Sequence, residues 1–214
     1  MNTTHTSTLT LSRSTLGILS LCTLLAVGCT DATMDDSTPP SDDDETRDPL
    51  TDLPFTLDVT STTVPAGGVM PEYTVFSDFG CTGGNISPEL SWSPGPEGTQ
   101  SYMIMMYDPD APTGVGFHHW WIANLPAATL SLPEGASNDN ILPEGAVQGR
   151  QDYGGSSYGG PCPPEGRTHR YQFYVWAMAV DQLPLSQDTS PVVARFMLAQ
   201  NALAVGRLVA TYGR

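Results

Sequence analysis

Short apolar runs, separated by clusters of glycine and proline, recur along the chain from residue 55 onward. Six of these runs combine aromatic, β-branched and long apolar side chains, a pattern typical of β-strands: FTLDVT from Phe55, YTVF from Tyr73, ELSWS from Glu89, YMIMMY from Tyr102, HWWIANL from His119 and YQFYVWAMAV from Tyr171. Both alternating faces of YMIMMY are apolar, so this run is predicted to form a central strand covered on two sides. Because 21 glycines and 19 prolines break the chain into short segments, the pattern predicts a mainly β, antiparallel sandwich.

The end of the chain follows a different pattern. Ser190 stands where a helix N-cap is expected, and Pro191 stands at the first helical position. About twenty residues rich in alanine and leucine follow, up to Gly213. We therefore predict one C-terminal helix, with candidate interruptions near Asn201 and Gly206, that covers an edge or a face of the sheet.

The first 28 residues have the pattern of a signal peptide. A Thr/Ser-rich start with one arginine precedes the apolar run LGILSLCTLLAVG, which is too short to span a bilayer. The run ends in AVGC, which resembles a bacterial lipobox. We predict that residues 1–28 are removed and that Cys29 receives a lipid, with ordinary cleavage or a retained anchor as the alternatives; each of these takes the protein out of the cytoplasm.

Residues 29–52 are predicted to form a disordered tether. Thr30 to Asp52 contain nine acidic residues, one arginine and no aromatic residue, so this segment cannot form a core and its like charges keep it extended. The remaining residues, 53–214, are predicted to form one domain. This domain has 14 acidic residues against six arginines and no lysine, which excludes a basic face for nucleic acid.

Cysteine usage agrees with export. Cys22 belongs to the signal peptide and Cys29 to the processing site, which leaves Cys81 and Cys162 in the domain. A lone pair of cysteines in an oxidising compartment usually bridges, so we predict a Cys81–Cys162 disulfide rather than two free thiols. No zinc site is expected, because neither cysteine has a second cysteine at metal-ligand spacing.

Polar side chains are concentrated in DPDAPTGVGFHHWWIANLP, which begins at Asp108. Prolines fix the backbone here, so Asp108 and Asp110 can project into one space after the YMIMMY strand; the alternative is a turn with aspartate caps. His118 and His119 are neighbours on a strand, where side chains alternate, so at most one of them can face a pocket.

A second polar cluster lies about forty residues further along, in YGGPCPPEGRTHRYQFYVW. Its glycines and prolines predict a rigid turn that exposes backbone amides. Arg167, His169, Arg170 and Tyr171 follow this turn as the chain enters a strand.

The motifs DPDAPTG, HHWWIANLP, YGGPCPPEG and HRYQFYVWA, in this order, resemble the phosphatidylethanolamine-binding proteins, specifically the bacterial branch described as Raf kinase inhibitor-like. The upstream segment CTGGNISPELSW resembles that branch as well, and the similarity extends from about Phe55 to Tyr212. The resemblance implies a sandwich of two antiparallel sheets with a small pocket that accepts phosphate-type anions and phospholipid head groups. It also implies a cis proline in DPDAP, at Pro112. The pocket residues that it implies are Asp108, Asp110, His119, His169 and Tyr171, with Gly160 and Pro161 at the rim.

This pattern favours a binding protein over an enzyme. Two carboxylates suit an ammonium group, and two imidazoles suit a phosphate when they are protonated, so anion affinity should rise as pH falls through the histidine range. The family resemblance also implies an alternative function, inhibition of a serine protease or a kinase. A metal-dependent phosphoester hydrolase ranks third, because the sequence contains no HExxH and no GxSxG motif. No cofactor and no metal site are expected.

Overall fold

Two antiparallel sheets form the framework of the computed structural model, which describes residues 49–214. One sheet has the strand order β1-β2-β5 and the other has the order β6-β4-β3-β7-β8. The mainly β, two-sheet fold predicted from the sequence is therefore confirmed. The elements are β1 (Val59–Thr60), β2 (Leu90–Trp92), β3 (Ser101–Asp108), β4 (Phe117–Pro126), β5 (Ser131–Leu132), β6 (Val147–Gln148), β7 (Thr168–Met178), α1 (Pro191–Ala199) and β8 (Ala202–Gly213), with 3-10 turns at Pro49–Asp52 and Glu72–Thr74.

Strand β3 lies in the middle of the five-stranded sheet, between β4 and β7. Its side chains alternate between two cores, as the period of a strand requires. Ile104 and Met106 belong to the core between the sheets, whereas Met103 and Met105 belong to a second core that includes α1 residues. The prediction of a central strand buried on both faces is confirmed.

The C-terminal helix is much shorter than predicted. It begins at Pro191, with the Ser190 hydroxyl accepting a hydrogen bond from the Val193 backbone N–H, and it ends at Ala199. Residues Ala202–Gly213 instead form β8, which pairs with β7 along its whole length. Pairing along β7 overrides the helix propensity of an Ala/Leu-rich segment. Gly206 fits this position because an added Cβ would lie 2.3 Å from the Leu57 carbonyl oxygen.

Two of the predicted strands are largely absent from the sheets. YTVF is wrong as a strand: Thr74 directs both its N–H and its hydroxyl to the Pro71 carbonyl, which closes a 3-10 turn. In FTLDVT only Val59 and Thr60 join the small sheet. The remaining strand predictions, in ELSWS, YMIMMY, HWWIANL and YQFYVWAMAV, correspond to β2, β3, β4 and β7.

The last four residues of the predicted tether, 49–52, belong to the folded part of the chain that the structure describes. Pro49–Asp52 form a 3-10 turn, and Leu50 is buried in the second core with Met105 and Trp176. The predicted signal peptide, the Cys29 lipid site and the tether up to residue 48 lie outside the described residues. Within residues 49–214, no helix has the length and hydropathy needed to cross a membrane.

The structure contains the predicted disulfide between Cys81 and Cys162, which are separated by 81 positions. Cys81 follows the 3-10 turn at Glu72–Thr74, and Cys162 lies in the loop before β7. The bridge therefore joins two loops that no strand pairing connects directly.

Candidate functional site

The DPDAP segment begins at the last residue of β3, Asp108, which is 2% exposed. The Asp108 Oδ1 atom accepts the Asp110 backbone N–H at 2.8 Å, so the aspartate closes a tight turn on itself. This hydrogen bond fixes the carboxylate and leaves Oδ2 directed toward β7. The peptide bond before Pro112 is trans, as are all peptide bonds in residues 49–214, so the expected cis proline is wrong.

A β-bulge in β4 determines which histidine joins Asp108. Met106 pairs with Trp120 and Tyr107 pairs with His118, which leaves His119 as the extra residue of the bulge. A bulge changes the face on which the following side chains lie. His119 therefore turns toward Asp108, whereas His118 lies on the other face of the sheet, 4.9 Å between ring centroids from Tyr107.

The loop before β7 fixes the tautomer of His119. Its Nδ1 atom lies 2.8 Å from the Gly159 carbonyl oxygen and 3.1 Å from that of Gly160. Carbonyl oxygens only accept hydrogen bonds, so Nδ1 carries the proton and Nε2 faces the Asp108 Oδ2 atom, 4.0 Å away. Burial lowers the pKa of His119 to about 4, although the two carbonyls and Asp108 act in the opposite direction.

His169 enters the site from β7. Its Nδ1 atom donates to the Asp108 Oδ2 atom at 2.7 Å, and the side chain is almost fully buried. Asp108 thus accepts one hydrogen bond on each oxygen. Strands β3, β4 and β7 place two imidazoles within 4.0 Å of one carboxylate oxygen, Asp108 Oδ2.

These three side chains line a cavity of about 190 Å³. An aromatic wall borders them: Tyr153 stacks on Phe76 at 4.0 Å between ring centroids, and Phe117 lies 5.0 Å from His119. Phe117 and Tyr153 were not among the residues predicted from the sequence. Tyr153 lies in a glycine-rich loop, where no sequence pattern indicates the direction of a side chain. The lining residues are Asp108, Ala111, Pro112, Thr113, Phe117, His119, Tyr153, Cys162, Pro164 and His169.

A larger cavity, of about 460 Å³, lies on the opposite face of the five-stranded sheet. It is lined mainly by apolar and aromatic side chains, and it includes His118 and Arg195. No Asp or Glu of the described part of the chain lines it, so the smaller cavity, where Asp108 lies beside two imidazoles, is the better candidate for polar-ligand chemistry. Among residues 49–214, no group of three or more His, Cys, Asp or Glu side chains is arranged to hold a metal ion.

Comparison with known proteins places this geometry in a family. The family model described as phosphatidylethanolamine-binding protein matches residues 60–213, which is most of the chain. The chain belongs to the phosphatidylethanolamine-binding protein family. The resemblance drawn from the sequence motifs is therefore confirmed.

Relatives in this family include bacterial proteins of similar size. YbcL of Escherichia coli strain K12 is 45% identical over 157 residues, covering 72% of this chain and 86% of YbcL. Its crystal structure matches with a TM-score of 0.72, covering 74% of this chain and 98% of that one, at 43% identity. YbhB of the same organism is 40% identical over 147 residues, covering 68% of this chain and 93% of YbhB. A Mycobacterium tuberculosis (strain H37Rv) relative named "Putative lipoprotein LppC" is 33% identical over 135 residues, covering 63% of each chain.

Three other residues that the family resemblance assigned to the pocket support its walls. Tyr171 is fully buried beneath the two histidines, 5.2 Å from His119 between ring centroids, and its hydroxyl has no hydrogen-bond partner in residues 49–214. A Cβ on Gly160 would lie 1.9 Å from the Thr74 carbonyl oxygen, so this position requires glycine. The Pro161 carbonyl accepts the Phe76 N–H at 3.0 Å.

Asp110 does not share the space of Asp108. Its carboxylate accepts two hydrogen bonds from the Arg170 guanidinium, at 2.6 and 2.9 Å, and one from the Arg170 backbone N–H at 2.8 Å. The guanidinium lowers the pKa of Asp110 to about 2. The prediction that both aspartates face one pocket is therefore wrong. Arg170, which lies on the solvent side of β7, binds the Asp110 carboxylate and holds it outside the cavity.

Substituting Asp110→Asn should leave phosphate affinity within about two-fold of wild type, because the side chain is outside the cavity. The same change should lower the thermal unfolding midpoint at neutral pH. The folded-state pKa of Asp110 is depressed, so its stabilising effect is present above about pH 4 and is lost as pH falls toward 2. Calorimetric titration and thermal melts across this pH range measure both effects; a large loss of phosphate affinity would contradict the placement of Asp110.

Proposed function

We propose that the domain binds a small phosphate-type anion, free or as a phosphorylated head group such as phosphoethanolamine, without chemical turnover. The observation that carries the proposal is the convergence of Asp108, His119 and His169 on one small cavity, from three different strands. Buried polar groups without a complete set of partners are costly in a folded protein. Their concentration in one cavity therefore supports a polar ligand.

The size of the cavity restricts the ligand. Pockets for drug-sized molecules typically measure about 300–1,000 Å³, whereas this one measures about 190 Å³. A phosphate or a short phosphorylated head group fits such a volume, and the acyl chains of a phospholipid do not. The aromatic wall of Phe117 and Tyr153 suits the methylene groups of a head group.

The lining residues support binding rather than catalysis. Cys162 is held in the disulfide, and the Thr113 hydroxyl donates to the Gly116 carbonyl at 2.5 Å. His119 and His169 direct their Nδ1 atoms to carbonyl and carboxylate oxygens, so neither ring is paired with a hydroxyl or thiol nucleophile. Covalent catalysis by a serine, threonine or cysteine nucleophile commonly uses such a pair.

Isothermal titration of the purified protein with inorganic phosphate and with phosphoethanolamine tests the proposal. We expect saturable binding at one site, with higher affinity at about pH 6 than at about pH 8, because protonation of the phosphate lowers its repulsion from Asp108. The absence of saturable binding for both ligands at both pH values would contradict the proposed function.

We further propose that the domain is held at the cell envelope as a lipoprotein. The AVGC sequence, which ends at Cys29, supports this, and the name of the M. tuberculosis relative is consistent with it. Replacing Cys29 with Ser should move the protein from the membrane fraction to the soluble exported fraction. Mass spectrometry of the wild-type N-terminus should find Cys29 as the first residue, carrying lipid; an unmodified N-terminus elsewhere would contradict this prediction.

A further inference from the structure

The distribution of protons in the small cavity restricts its ligands further. In neutral His119, Nδ1 holds the ring proton because it donates to the Gly159 and Gly160 carbonyls. The Nε2 atom is then a bare acceptor, and it faces the Asp108 Oδ2 atom at 4.0 Å. Two acceptors at this separation do not hydrogen-bond to each other, and their lone pairs repel.

His169 adds no donor between these two atoms. Its Nδ1 proton already goes to the Asp108 Oδ2 atom at 2.7 Å, so this proton is not available to His119 Nε2. The cavity therefore presents a carboxylate oxygen and an imidazole nitrogen that lack a proton between them. A ligand O–H group placed between them would donate its proton to His119 Nε2 or to Asp108 Oδ2, or share it between the two atoms.

We propose that the cavity selects oxyanions that carry their own proton, such as the monoanion of a phosphomonoester, over oxyanions of the same shape and charge without an O–H group. This inference rests on the proposed function, because it concerns the same cavity. The ligand hydroxyl would donate to His119 Nε2 or to Asp108 Oδ2. A sulfate ester has three acceptor oxygens and no donor, so it would leave both protein atoms unsatisfied and add a repulsive contact.

Protonation of His119 could replace the ligand proton, but the surroundings oppose it. Burial holds the pKa of His119 at about 4, so the imidazole is neutral at the pH where a phosphomonoester is a monoanion. Arg170 is paired with Asp110 on the solvent side and adds no free cation to the cavity. The titratable groups that contact His119 or act on its charge are Asp108, Asp152, Tyr153 and Tyr171. Behind them, His169 contacts Asp108, and the paired Asp110 and Arg170 lie near His169.

The proposal predicts a specific pH dependence. The second ionisation of a phosphomonoester has a pKa of about 6, so the fraction of monoanion falls about tenfold for each pH unit above that value. Affinity for a phosphomonoester should fall with this fraction. Affinity for a sulfate ester should stay weak and nearly constant until the pH approaches about 4, where His119 gains a proton.

Titration of the purified full-length protein with methyl phosphate and with methyl sulfate provides the test. At about pH 5 both are monoanions of similar shape, and they differ by one O–H group. We expect methyl phosphate to bind at least about tenfold more tightly, which corresponds to one hydrogen bond to a charged or buried group. In the Asp108→Asn variant, the new amide supplies a donor, so the ratio between the two ligands should fall to about threefold or less.

The outcomes separate this inference from the proposed function. Equal affinity of the wild-type protein for the two esters, or tighter binding of methyl sulfate, would overturn the selectivity while leaving anion binding in place. Failure of both esters and of inorganic phosphate to bind would overturn the proposed function together with the inference. The wild-type comparison and its pH profile decide the question even if the Asp108→Asn variant does not fold.

Discussion

Loss of the Cys81–Cys162 disulfide will lower the free energy of unfolding by about 4 kcal/mol, because the bridge restricts the conformational entropy of the unfolded chain. The bridge spans 81 positions, so its removal releases a long loop in the unfolded state. In the folded state it ties the cavity rim at Cys162 to the loop that holds Cys81, which is itself buried. We therefore expect a second consequence, a loss of phosphate affinity, because the neighbouring Gly159 and Gly160 carbonyls orient His119.

Urea unfolding of the oxidised protein, the reduced protein and the Cys81→Ala/Cys162→Ala variant measures this effect. The double variant serves as the matched control, since reductant should change the wild-type midpoint and leave the variant unchanged. Equal unfolding free energies for the oxidised and reduced wild-type protein would contradict the stabilising role of the bridge. Free thiols at Cys81 and Cys162 in the unfolded, non-reduced wild-type protein would contradict the bridge itself.

Substituting either His119→Asn or His169→Asn should reduce phosphate affinity by about 10- to 100-fold, the effect of losing one hydrogen bond to a charged group. Asparagine is chosen because its amide nitrogen can replace the Nδ1 donor. At position 119 it can still donate to the Gly159 carbonyl, and at position 169 it can still donate to Asp108. Each variant thus keeps the internal hydrogen bond and loses the Nε2 atom that a ligand would contact.

The adjacent His118→Asn variant is the matched control. His118 lies on the other face of the sheet and contacts Asp152 through its ring and its backbone N–H. Its substitution should leave phosphate affinity within about two-fold of wild type. Calorimetric titration of the three variants, with thermal melts to confirm folding, makes this comparison; a larger loss in His118→Asn than in the other two would contradict the assignment.

The sequence predicted the central part of the sheet because those residues are apolar on both faces. YMIMMY and YQFYVWAMAV have no alternative environment that buries so much apolar surface, and they form β3 and β7. The last strand was missed for the opposite reason. ALAVGRLVATYG reads equally well as a helix, and only the free edge of β7, a property of the assembled sheet, makes it β8.

The identities of the cavity residues could be predicted only in part. Simple strand alternation would place His119 on the same face of the sheet as Trp121. The bulge opposite Met106 and Tyr107 instead turns His119 to the face on which Asp108 lies. No local sequence signal marks the bulge, so the choice of His119 came from family resemblance alone. Asp110 was misplaced because its partner, Arg170, lies 60 positions away, at a distance that local patterns do not reveal.

Nuclear magnetic resonance of the histidine rings during a phosphate titration tests the central claim, that Asp108, His119 and His169 form one anion-binding pocket. The chain contains four histidines, and the three within residues 49–214 can be assigned with the asparagine variants. The account predicts that the His119 and His169 ring resonances shift together and saturate at one phosphate per protein, while the His118 resonance does not move. Saturable shifts confined to His118, or no saturable shift at His119 and His169, would contradict it.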